Sequence, residues 1–229
     1  MIGIGAPATA RRYFDQATTV FETDPSMALR IFREATDTDP SMADAWLCRI
    51  AAGDDDLSTL EALYRHGSRL HRESNRLGVH LAAAIKAGPY LSITVTEASH
   101  AGIALAGALV DDRQFDRAEA ILDNSALLDS WENHQWHQHI RAYLMFATGR
   151  WPDVLAEAGR LLPPQAIVMP ALTAANCALA AHAAAHLGQA RVALDWSTRA
   201  AAISPVDFPL IAADLAYLRG MIHRQLGED

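Results

Sequence analysis

This 229-residue chain is short of basic clusters, long apolar runs, aromatics and cysteine, and each shortage removes a class of function. Nineteen Lys and Arg stand against 27 Asp and Glu, a formal charge of −8, and no stretch is polybasic. Nucleic acid and anionic lipid both demand clustered cations, so neither fits as a partner. The least charged stretch, Leu161 to Ala190, is broken by Pro163, Pro164 and Pro170 and carries Asn176, His182 and His186. A membrane-spanning helix wants about 20 strongly apolar residues, so no membrane insertion is expected. Met1 to Pro7 lacks the basic start and apolar run of a secretory signal, the pattern of a cytoplasmic protein. The two cysteines, Cys48 and Cys177, lie in apolar helical patterns and read as buried thiols in a reducing compartment. Missing too are the Gly-x4-Gly-Lys-[Ser/Thr] phosphate loop and the Gly-x-Ser-x-Gly elbow. The segment is therefore expected to hold no cofactor and no catalytic residue of its own.

What is abundant is alanine. The chain is 51% hydrophobic but only 7% aromatic, a balance that favours closely packed helices over sheets. From Ala28 the sequence reads Ala28-x3-Phe32-x2-Ala35-x4-Pro40: small residues where two helices meet, an aromatic between them and a proline stop. Ala43-Asp44-Ala45-Trp46 opens the next helix, and Ala62 stands thirty-four residues after Ala28. That period is the tetratricopeptide repeat (TPR) spacing. Ala118, Val154 and Ala193 hold the same position in later short helices, each preceded by a longer one. Gly149, Gly188 and Gly227 fall at the turns, where a helix C-terminus favours glycine. The pattern predicts one all-α domain over 1–229, a right-handed TPR α-solenoid of five to six helix pairs.

The step from Ala62 to Ala118 is 56 residues, 22 more than one repeat. Within it Leu91, Ile93 and Val95 alternate with Ser92, Thr94 and Thr96 behind a Gly88-Pro89 turn signal. Period-two alternation of β-branched residues predicts a strand. A small β-finger insertion is expected over about 77–96, its partner strand drawn from Leu77 to Lys86. The end of the chain, Gln225 to Asp229, reads as the turn between two repeat helices with the second one missing, the pattern of a truncation.

Solenoids bind through the surface lined by the first helix of each pair. The register aims Trp136, His139, Tyr143 and Phe146 of the fourth repeat inward. His182 follows from the fifth, then Asp214, Tyr217 and Arg224 from the last helix. These eight residues are the candidate partner-binding groove, suited to an amphipathic helix or extended tail. Trp136 and Phe146 equally suit the core between repeats, because one residue of register error turns a side chain by about 100°.

Two histidine pairs, His182 with His186 and His134 with His137, invite a metal reading. Ala183 occupies the place where a zincin motif needs glutamate, and no third ligand has fitting spacing, so a seam or groove role is the better reading. A metal-dependent hydrolase built on His182 and His186 stays the outlying alternative. The run Asp54-Asp55-Asp56 precedes Leu57 and reads as a solvated helix cap, and Trp151-Pro152 as a helix start.

Three stretches carry a family resemblance: Asp39 to Trp46, Arg150 to Val154, and Pro163 to Pro170. They resemble the N-terminal domain of EccA, the cytosolic AAA+ ATPase of mycobacterial type VII (ESX) secretion, in particular the paralogue of the second ESX locus. The likeness covers nearly the whole chain. It implies a TPR domain joined to a C-terminal AAA+ domain, absent here, that binds ATP and Mg. It also implies partners: secreted Esx or PE/PPE proteins or their chaperones, which the domain would couple to the ATPase module. The connection from Trp196 to Pro209 is shorter than the family leads one to expect. A stand-alone TPR scaffold or regulator is the alternative.

Overall fold

A computed structural model describes residues 6–67, 70, 82–96, 98–124, 127, 130–161, 169–203 and 209–227. The described residues form eleven helices and one two-stranded hairpin. Two helix pairs come first, α1 (Ala6–Val20) with α2 (Pro25–Thr38) and α3 (Ala43–Ala51) with α4 (Leu57–His66). The hairpin follows, β1 (Ala83–Ala87) and β2 (Leu91–Val95). Three further pairs are α5 (Ala98–Asp111) with α6 (Phe115–Leu122), α7 (Trp131–Ala147) with α8 (Trp151–Leu161), and α9 (Pro170–His186) with α10 (Ala190–Ile203). A last helix, α11 (Pro209–Leu226), packs on α9 and α10. The all-α repeat architecture expected from the sequence is the one observed.

The repeat register sits where the pattern placed it. Ala28, Ala62, Ala118, Val154 and Ala193 are all buried, each on the second helix of its pair. Small side chains there let paired helices approach closely. The first helices α5, α7, α9 and α11 pack in succession and form one continuous side of the molecule. Gly149, Gly188 and Gly227 have φ of 74°, 71° and 71°, the left-handed conformation that ends a helix without a Cβ penalty. At the other ends, Asp24, Asp56 and Ser130 cap α2, α4 and α7 by accepting the backbone N–H of Met27, Thr59 and Asn133.

The hairpin is antiparallel, with Ala83 opposite Val95, Ile85 opposite Ile93 and Ala87 opposite Leu91. One face is buried through Ala83, Ile85, Ala87, Ile93 and Val95, and the other carries Ala84, Lys86, Ser92 and Thr94 outward. The described strands lie inside the expected 77–96 insertion; residues 77–81 are outside the described set. The buried face joins the central core with Leu47, Leu63, Ile103, Leu105, Leu109 and Ile140. Separate clusters hold α1–α3 together around Phe14 and Phe32, and α8–α11 together around Trp196, Leu215 and Leu218.

The acidic run differs from a fully solvated cap. Asp56 caps α4, but Asp54 is buried, its Oδ2 2.6 Å from Arg49 Nη2 and 3.2 Å from Arg33 Nε. Burial of that pair follows from the Gly53 turn, whose φ of 97° folds Asp54 back under α3.

Candidate functional site

The hairpin lies on the side made by the first helices. Its strands pack on α3 and α5, and β2 reaches α9. Gly88, at the tip, faces α7: a Cβ built there would stand 2.9 Å from His139 Nε2 and 3.8 Å from the Tyr143 ring. Its φ of 83° independently favours glycine. Tyr90, also at the tip, donates its hydroxyl to Asp214 Oδ2 on α11 at 2.7 Å. The chain thus lays its own hairpin along the surface from which TPR arrays bind partners.

Two carboxylates anchor the hairpin. Asp214 Oδ2 receives Tyr90 and lies 2.6 Å from His182 Nε2. Asp111, at the end of α5, accepts the Tyr143 hydroxyl at 2.6 Å on Oδ1 and the Lys86 ammonium at 2.7 Å on Oδ2. Burial, followed by the carboxylate each hydroxyl bonds, pushes the Tyr90 and Tyr143 phenols well above the ordinary tyrosine range, so both act as neutral donors.

The eight groove candidates divide accordingly. Trp136 is 6% exposed and His139 0%, so these two belong to the interior, and their inward aim points into packed core instead of an open groove. His139 Nδ1 lies 2.7 Å from Asn176 Oδ1, an acceptor, which places the proton on Nδ1 and leaves Nε2 bare toward the hairpin. Burial pushes its pKa down to about 4, against a smaller opposing effect from Asn176. Tyr143 and Phe146 are half-buried; Phe146 lies 6.3 Å from the His182 ring. His182 and Asp214 are brought together, and Tyr217, one turn further along α11, is 65% exposed. Arg224 is exposed, with Nε 3.1 Å from the carbonyl of Gly220.

The histidine pairs form no ligand cluster. His186 stacks on Trp151, ring centroids 4.4 Å apart, while His182 turns to Asp214. His137 Nε2 meets the Leu122 carbonyl at 2.6 Å, and His134 Nε2 lies 2.9 Å from Gln138. Among the described residues no group of three His, Cys, Asp or Glu is placed to hold a metal.

Three participants escaped the sequence reading: Tyr90, Asp111 and Leu210. Tyr90 had a signal, an aromatic directly after the Gly88-Pro89 turn. Leu210, 66% exposed, is seven residues before Tyr217, with Asp214 between them at i+4. That spacing puts all three on one face of α11. Asp111 carried no signal, since its role depends on two partners from distant segments.

No described helix is long and apolar enough to cross a membrane. The family profile described as the N-terminal domain of the type VII, ESX-1 secretion system protein EccA1 matches residues 8–229. ESX-2 secretion system protein EccA2 of Mycobacterium tuberculosis is 54% identical over 245 aligned positions. That match takes in 99% of this chain and 40% of EccA2. ESX-5 secretion system protein EccA5 of Mycobacterium marinum is 31% identical, across 90% of this chain and 33% of the relative. The chain therefore spans well under half the length of these relatives, and the rest of each lies outside the matched segment. In fold, it superposes on the crystal structure of the N-terminal domain of the EccA1 ATPase from Mycobacterium tuberculosis with a TM-score of 0.82. The overlap covers 97% of this chain and 80% of that one at 22% identity. With the profile matched from the first helix to the end, the chain belongs to the EccA N-terminal domain family of type VII secretion.

Proposed function

We propose that this domain is the partner-docking module of a cytoplasmic type VII secretion ATPase. It takes up secreted Esx or PE/PPE proteins, or their chaperones, and couples them to an AAA+ module, where ATP and Mg would act. The observation that supports this reading most directly is the outer stripe of α11. Leu210 and Tyr217 are 66% and 65% exposed, on one helix face with Asp214 between them, beside the hairpin tip. Large apolar side chains left in water on one stripe, with a carboxylate among them, suit the apolar face of an amphipathic helix. Phe146 and His182 continue that surface onto α7 and α9. Trp136 and His139, being buried, serve the seat only by shaping it.

Calorimetric titration of this 229-residue chain with the secreted Esx heterodimer, and separately with a PE/PPE pair, both from the same locus, tests the reading. Saturable binding weakened at least about tenfold by Tyr217→Ala together with Leu210→Ala is the expected result, a loss typical of anchor residues. Absence of binding to either, by protein with intact helical circular dichroism, would overturn the partner assignment.

A further inference from the structure

A second surface, apart from the α11 stripe, lies along the outer edge of β1. Among the described residues β1 pairs only with β2, and no described strand occupies its other edge, the kind of edge to which a strand can add. A trough of about 400 Å³ runs beside it, between the start of α4 and the end of α5. Ile85 and Lys86 both border this trough. They are neighbours whose side chains leave opposite faces of the ribbon, so a space bordered by both runs along the strand's edge, not over one face.

The trough has an apolar floor and an acidic rim. Leu57, Leu60, Ile85 and Ala108 make the floor. On the rim three carboxylates, Asp55, Asp111 and Asp112, face the single ammonium of Lys86. Asp111 is already engaged by Lys86 and Tyr143. Among the described residues Asp112 is met by the neutral Gln114 amide alone, and the exposed Asp55 has no compensating cation. Two carboxylates without a cation among the described residues thus border a trough that is part apolar and part acidic, beside β1.

We propose that this edge receives a third strand from an extended, basic segment of a partner protein. Its main chain pairs with β1. Its alternate apolar side chains rest on Leu57, Leu60 and Ala108, and a Lys or Arg in between meets Asp55 and Asp112. Strand addition supplies affinity through the backbone, and the pockets for alternate side chains supply selectivity. Complementary charge favours a basic segment and rejects an acidic one. A third strand also extends a hairpin that, with two strands, depends on the helices beneath it for stability.

The test is fluorescence anisotropy of the 229-residue chain with a labelled, capped peptide alternating Val and Lys. Two controls accompany it: a Val/Glu peptide, and the Val/Lys peptide N-methylated at alternate amides so that it cannot pair as a strand. Expected are saturable binding of the Val/Lys peptide, none of either control, and slowed amide exchange across residues 83–87. In Asp55→Asn/Asp112→Asn protein the affinity falls at least about tenfold, whereas Tyr217→Ala leaves it unchanged. Equal binding of the N-methylated peptide would reduce the effect to general attraction by a chain of charge −8 and overturn the proposal. So would an affinity indifferent to the double variant, or no saturable binding at all.

Discussion

Burial holds the His139 imidazole neutral in the folded chain, with its pKa pushed down to about 4 against an ordinary value of 6.5. Between those two values the unfolded state carries the extra proton, so stability is full above pH 6.5 and declines toward pH 4. The whole decline amounts to about 3 kcal/mol for this one group. His137, also lowered chiefly by burial, adds a loss of the same sign. Urea midpoints measured between pH 7.5 and 4 should therefore fall more steeply for the natural chain than for His139→Gln, whose amide keeps a partner for Asn176 without a proton to gain. The two cysteines sit at the same scale. Burial pushes the Cys177 thiol up to about 12 and the Cys48 thiol higher still. Neither is to react with an aromatic disulfide reagent in folded protein, and both are to react in urea; prompt labelling of the folded chain would contradict this burial.

At the scale of elements, the hairpin separates what pattern can reveal from what it cannot. Strand β2 was legible because Leu91, Ile93 and Val95 alternate with small polar residues. Strand β1, Ala83-Ala84-Ile85-Lys86-Ala87, is written, but for Ile85, in residues of high helix propensity. It becomes a strand because β2 pairs with it and α5 buries its inner face. The tip obeys geometry more strictly than propensity. Gly88→Ala combines a φ of 83° with a Cβ 2.9 Å from a fully buried His139 nitrogen, and is expected to cost about 2 kcal/mol or more. Tyr90→Phe removes one hydrogen bond to a carboxylate and should cost about 1–2 kcal/mol. A double-mutant cycle with Asp214→Asn reads that bond; additive losses would mean the two residues do not cooperate. At α4, Asp56→Ala should cost about 1 kcal/mol at neutral pH as a lost cap. Hydrogen bonds from Ser58 and Thr59 lower the Asp56 pKa, so this contribution is present above pH 3.8 and fades as pH falls through the lower folded value.

Across the whole molecule, the hairpin ties distant repeats together. Its base lies in the core of α3 and α5, and Tyr90 bonds a residue 124 positions away on α11. A solenoid normally couples only neighbouring repeats, so such a strut makes the later repeats depend on the middle ones. Amide exchange in α11 should therefore speed up in Tyr90→Phe, although α11 and the hairpin are far apart in sequence. Unchanged exchange there would mean that packing against α9 and α10 suffices. The same strut bears on docking. Under the proposed docking, a hairpin that fills part of the first-helix side would direct a partner to the rim, where Leu210 and Tyr217 are exposed.

The sequence by itself determined the helical-repeat class, the register of small residues at the helix contacts, the glycine turns and the existence of β2. Those features rest on local periodicity and backbone preference, which are written in consecutive residues. Only the tertiary structure decided that Trp136 and His139 are core, that Asp111 and Asp214 hold the hairpin, and that the run of three aspartates splits into a buried ion pair, an exposed charge and a cap. Each of these depends on which distant segment arrives beside a side chain. A helical pattern gives a residue's face to within a turn; packing alone determines what covers that face.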